Sequence, residues 1–231
     1  MARVKPETGG IYHVYNRGVE KRNIFSDDKD YLRFIHDLFE FNDKNPAINL
    51  AYYVGKQSKE VGLLKIDREP RKLLVELIAF CLMPNHFHLL VRQREENGLT
   101  EFMRKIGTGY TNYFNKKYDR VGGLFQGRFK AVLVNREEYL IHLPFYIHTN
   151  PLDIIYGSST SIDWDKKIEF LNNYRWSSYL DYIGRKNFPS VTSRNFLLEF
   201  FGGEEDYKKA TEKWIRERDE NMEKIREVIL D

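Results

Sequence analysis

Residues 73–93 hold two largely apolar stretches of strand length, 73–83 and His86–Gln93, separated only by Pro84-Asn85. A break of two turn-forming residues between such runs predicts a tight antiparallel hairpin. Strand side chains alternate between faces, so His86 and His88 share one face and Phe87 takes the other. Two imidazoles on one rigid strand supply part of a metal site and require a further oxygen or nitrogen ligand from elsewhere. The spacing does not decide the matter alone, because an isolated His-x-His is common by chance.

The segments around the hairpin set the architecture. Residues 11–16 alternate apolar and polar side chains and break at Arg17-Gly18, which reads as a first strand. Ser26-Asp27-Asp28 caps a helix predicted to reach Asn42, with Tyr31, Phe34, Ile35, Leu38 and Phe41 as its buried stripe. Thr100 opens a second long helix ending near Lys117, and 129–135 read as a fourth strand. Glu137 opens a third helix that ends near Asn150, because Pro151 disfavours helical geometry at the residue before it. This order predicts the split βαβ plan: an α+β fold with a four-stranded antiparallel sheet and helices on one face. Residues 1–157 are read as this domain, with 47–72 as an insertion of mixed charge. Residues 158–231 are read as a mostly helical C-terminal extension that acts as a packing cover, ending in an amphipathic helix over 204–229.

Composition narrows the class. With 231 residues, 42% of them hydrophobic, the chain can bury a sizeable core. Its one cysteine, Cys81, excludes an intrachain disulfide and suits a reducing compartment. Residues 1–7 lack the apolar core of a signal peptide, and the longest apolar run, 77–83, is too short to span a bilayer. The expectation is a cytoplasmic protein with no membrane partner. A net charge of +3 says little, but residues 104–130 carry seven cationic side chains against the single acid Asp119. Tyr110, Tyr113, Phe114, Tyr118, Phe125 and Phe129 are interleaved with them. Cations neutralise phosphates and aromatics stack on unpaired bases, a composition suited to single-stranded nucleic acid. The helical spacing of Tyr110, Tyr113 and Phe114 also fits burial, which leaves the glycine-rich stretch 121–130 as the better candidate for contact. Arg17, Arg22, Arg128 and Lys130 are the candidate phosphate-contacting residues.

Residues four apart lie on one helical face, so His142, Tyr146 and Asn150 form a polar stripe on the third helix, with His148 pointing away. If that stripe faces His86 and His88, Asn150 offers the missing oxygen ligand and Tyr146 lies beside the cation. A phenol with a pKa near 10 is a weak nucleophile at neutral pH, and a cation that polarises a phosphodiester makes its attack feasible. Pro144, two residues before Tyr146, is expected to kink this helix.

Five stretches then occur in a telling order: Tyr12-His-Val-Tyr-Asn-Arg-Gly-Val-Glu-Lys-Arg-Asn-Ile-Phe25, Met83-Pro-Asn-His-Phe-His-Leu-Leu90, Gly123-Leu-Phe-Gln-Gly-Arg-Phe129, Tyr146-Ile-His-Thr-Asn-Pro151 and Tyr174-Arg-Trp-Ser-Ser178. In these the chain resembles the single-tyrosine HUH (His-hydrophobic-His) transposases, and within them is most similar to the REP-associated tyrosine transposases. The resemblance implies a ferredoxin-like fold, a divalent metal (Mg²⁺ or Mn²⁺) on His86 and His88 with Asn150 as third ligand, and Tyr146 as nucleophile. It further implies a single-strand DNA endonuclease and strand-transferase working through a 5′-phosphotyrosine, on single-stranded or hairpin DNA, as a monomer or homodimer. Two other readings are a replication-initiator or relaxase-like nickase and a non-catalytic DNA-hairpin-binding protein.

Overall fold

The computed structural model describes residues 5–46, 70–156 and 164–226. Nearly all of the predicted insertion, the 157/158 boundary and the last residues of the terminal helix, Ile229 included, lie outside the described residues.

Four strands, β1 (Ile11–Arg17), β2 (Val75–Met83), β3 (His86–Gln93) and β4 (Lys130–Leu133), form one sheet. Its order is β2-β3-β1-β4, with every pairing antiparallel. With α1 (Asp28–Glu40) between β1 and β2 and α2 (Gly98–Lys117) between β3 and β4, this is the ferredoxin-like α+β arrangement. Asp27 caps α1 by accepting from Asp30 N, and the Asp30 carboxylate returns the bond, a reciprocal capping box.

Register assigns the faces. Tyr12, Val14 and Asn16 of β1 pair with Val91, Leu89 and Phe87 of β3, so these six share one face. Against it pack Phe34, Ile35 and Leu38 of α1 with Phe102, Ile106 and Tyr110 of α2, all buried. Each such side chain contributes about 1.5–3 kcal/mol on burial. The opposite face carries His13, Tyr15 and Arg17 paired with Leu90, His88 and His86.

Apart from Glu76 near its start, which pairs with Arg92 and Arg94, strand β2 is apolar because both of its faces are covered. A register shift between Leu77 and Ala79 changes its parity, so Leu77, Phe80 and Leu82 face α1 and α2 while Ala79, Cys81 and Met83 face the histidines' side. That second face is not open over β2 and β3. There lies α3 (Glu137–Thr149), whose helical backbone continues past Pro144. The sheet side of the helix is apolar enough to hold it in place without the proline's missing hydrogen bond.

After α4 (Leu152–Tyr156) come α5 (Trp164–Asn173), α6 (Tyr179–Tyr182), α7 (Asn195–Phe201), α8 (Glu204–Arg216) and α9 (Arg218–Ile225). Tyr179, Tyr182, Leu197, Tyr207, Trp214 and Ile215 share a buried core with α3. The expected single helix over 204–229 is instead broken at Glu217 (φ −101°, ψ 24°). Buried Asn221 donates its side-chain amide to Trp214 O at 3.3 Å, a carbonyl left without a continuous helical partner at the break. No helix among the described residues is long and apolar enough to cross a membrane.

Candidate metal and nucleophile site

The second face of the sheet gathers an unusual set of polar side chains under α3. His13 and His88 are buried at 0% and 4% exposure, with Tyr15 and Tyr146 at 9% each. The His86 and His88 rings stand at 89° with centroids 4.9 Å apart, as expected for i and i+2 on one strand. Tyr146 comes down from α3 edge-on to both His88 and His13, with centroids 5.5 and 6.1 Å away. One turn later, the Asn150 side chain comes near enough to His86 to influence its protonation. The helix stripe and the strand pair therefore meet. His142, the third member of that stripe, does not reach the site: it lies near Lys224 of α9, and its buried Nδ1 has no hydrogen-bond partner. His148 points away into the C-terminal packing, between Tyr207 Oη at 2.7 Å and Ser178 Oγ at 2.8 Å, and burial pushes it down to about 3.

Both strand histidines have Nδ1 committed. His86 Nδ1 lies 2.6 Å from Asn85 Oδ1, which can only accept, so the ring proton sits on Nδ1. His88 Nδ1 lies 2.9 Å from His13 Nε2. Such outer partners fix the tautomer and aim Nε2 inward. Burial lowers the His86 pKa, opposed by the Asn150 side chain and the Asp153 carboxylate; Arg17 lowers it further. Burial lowers His88 much further, helped by His13 and His86. Neutral imidazoles are the form that binds metal. The buried hydroxyl of Tyr15, beside Tyr146, has no hydrogen-bond partner, and burial pushes its pKa up to about 12. A buried unpaired hydroxyl is costly unless a ligand meets it. These features suit a cation held by two imidazoles and an amide oxygen. Among the described residues no group of three or more His, Cys, Asp or Glu side chains is placed to hold a metal.

A model of the family described as "Transposase IS200 like" matches residues 62–150, a span that contains His86, His88, Tyr146 and Asn150. Among solved structures, the chain is similar to a REP-associated tyrosine transposase bound to a REP hairpin. The TM-score is 0.50 at 13% identity, over 84% of this chain and 93% of that one. The fold is transposase-like. No curated protein matches the sequence.

Around this centre, the cations divide. Lys130 stands opposite Tyr15 in the β1–β4 register, with its Nζ 5.6 Å from that ring's centroid. Arg17, on the same face, donates to Gln126 Oε1 at 2.5 Å and so ties the strand end to the glycine-rich loop. Arg128 lies on that loop, exposed. Arg22 is set apart by its ion pair with Glu20 at 3.0 Å. The basic aromatic segment also divides. Tyr110 is buried and donates to Ile24 O at 2.5 Å; Tyr113, Lys117 and Tyr118 converge on Asp30. These are packing and cross-helix bonds, which leaves Phe125 and Phe129 as the aromatics beside the loop's cations.

The sequence alone pointed to no place in the site for His13, Tyr15 or Asp153, and to Asn85 only as a turn residue. The alternation of β1 was a usable signal, since it already places His13, Tyr15 and Arg17 on one face. Asp153 pairs with Arg218 of α9 at 2.6 Å, a contact between distant segments with no local signature.

Proposed function

We propose that this protein is a divalent-metal-dependent single-strand DNA endonuclease and strand-transferase with Tyr146 as nucleophile. The observation that carries the reading is the approach of Tyr146 to His88, 5.5 Å between centroids, with Asn150 of the same helix near His86. His86, His88 and Asn150 would hold Mg²⁺ or Mn²⁺. When bound, the cation would draw charge from a phosphodiester and favour attack at phosphorus. Tyr146 Oη loses its proton to solvent and bonds to phosphorus; the P–O3′ bond breaks and the leaving oxygen takes a proton. The product is a 5′-phosphotyrosine and a free 3′-OH. Attack by a 3′-OH reverses the exchange, so rejoining needs no nucleotide hydrolysis. Lys130, Arg128 and Arg17 hold the backbone of a single-stranded or hairpin DNA, with Arg22 in a more distant role.

The test is incubation of 3′-labelled, hairpin-containing strands with Mg²⁺ or Mn²⁺, followed by denaturing electrophoresis. A denaturation-resistant adduct is expected from the wild type and not from Tyr146→Phe. An adduct that persists in Tyr146→Phe and disappears in Tyr139→Phe would move the nucleophile elsewhere. Tight binding with no adduct in any metal would favour a binding protein.

A further inference from the structure

On the face of the sheet opposite the histidines, a cleft of about 680 Å³ lies between α2 and the glycine-rich loop. Its volume is in the range of small-ligand sites, roughly 300–1,000 Å³. Phe87, the residue between the two histidines, forms part of the lining at 1% exposure, and the half-buried Phe125 and Phe129 come from the loop. Arg104 of α2 and Arg128 of the loop also line it and are exposed. Neither makes an ion pair among the described residues, and no acidic side chain lines the cleft.

An apolar aromatic slot flanked by two uncommitted guanidiniums matches one chemistry well. A nucleobase buries its faces against aromatic rings while its phosphates are met by the arginines. The cleft is also adjacent to the proposed cleavage centre. Asn16 lines it, and Arg17, the next residue, stands on the histidine face opposite His86. The loop itself continues directly into Lys130 over Tyr15. A strand crossing this end of β1 and β4 passes from one site to the other within a few nucleotides.

We infer that the cleft between α2 and the glycine-rich loop binds an unpaired base of the DNA strand close to the scissile phosphate. This rests on the nucleic-acid part of the proposed function, and it adds a place where an individual base is held.

Gly107 offers a clean test. It lines the cleft in mid-α2, and a Cβ added there meets nothing within 4 Å. Replacing a mid-helix glycine also favours the helix, so Gly107→Leu is expected to fold while filling the slot. The probe is a hairpin with a mixed-sequence single-stranded tail of about ten nucleotides. A set of such probes replaces each tail nucleotide in turn with an abasic residue. For the wild type, one tail position is expected to lose about tenfold or more in affinity when abasic, the scale of one base–aromatic stack. Gly107→Leu should bind the intact probe as weakly as that, no longer sense the abasic residue, and keep wild-type Mn²⁺ affinity. Gly107→Ala should behave as wild type. Unweakened binding by Gly107→Leu, or an abasic scan with no sensitive position, overturns the inference whether or not an adduct forms. A positive scan without any adduct leaves the base slot standing and removes the enzymatic reading.

Discussion

His13 Nε2 lies 2.9 Å from His88 Nδ1, with the two rings stacked at 5.1 Å in the interior of the sheet's second face. For His88 to direct Nε2 at a cation, its Nδ1 must carry the proton and His13 Nε2 must accept it. Under the proposed function, His13 would be a positioning residue for a metal ligand. Loss of such a partner typically costs about 10–100-fold in metal affinity. His13→Ala is expected to weaken Mn²⁺ binding on that scale, read from free Mn²⁺ by electron paramagnetic resonance, with unchanged far-ultraviolet circular dichroism. His13→Gln, which keeps an acceptor, should recover most of it. Wild-type affinity in the alanine variant would mean that the contact does not serve the metal.

Asp30 ties α1 to α2. It is fully buried and accepts from Ser26 N at 2.8 Å, Tyr113 Oη at 3.1 Å, Tyr118 Oη at 2.8 Å and Lys117 Nζ at 2.6 Å. Asp30→Ala leaves two phenols and Ser26 N without their acceptor and leaves Lys117 with Asp27 alone, at 2.7 Å. The expected loss is about 3–5 kcal/mol, visible as a lower urea midpoint. Adding Lys117→Met should return part of it; a double variant no better than the single would place the cost elsewhere.

Asp37, 1% exposed, gives a pH signature. Burial raises its pKa from 3.8 to about 6, against the opposing pull of Arg33. Between those values the folded chain holds a proton that the unfolded chain releases. This group's contribution is therefore most favourable at low pH and declines as pH rises through that window, by about 2–3 kcal/mol in all. Asp37→Asn should gain on the wild type in unfolding free energy between pH 4 and pH 7. Parallel pH profiles for the two proteins would show that the carboxyl titrates normally.

The cations should separate in salt. A lost phosphate contact on a single strand lowers the slope of log K against log salt by about 0.7. That reduction is expected for Lys130→Ala and for Arg128→Ala. Arg22→Ala, whose guanidinium is engaged by Glu20, should change the slope less. Equal reductions in all three would put Arg22 on the DNA path as well.

Much of the fold follows from local pattern. Strand β3 has the bounds that its apolar run and the Pro84-Asn85 turn predict. The capped start of α1 and the end of α3 before Pro151 are also set by neighbouring residues. Where expectation and structure part, the cause is packing at long range. A helix predicted to 229 breaks at Glu217, where Asn221 turns back to Trp214 O.

The site divides in the same way. His86 with His88 at i+2, and Tyr146 with Asn150 at i+4, are pairs that backbone geometry fixes within one element. Sequence determines them alone. That α3 crosses β2 and β3 so that Tyr146 meets His88, and that the β1–β3 register sets Tyr15 opposite His88 with His13 within reach of it, was decided only by the tertiary structure. Such contacts join residues about 60 to 75 positions apart. They depend on how whole apolar faces of the elements bury against one another, which no local spacing records.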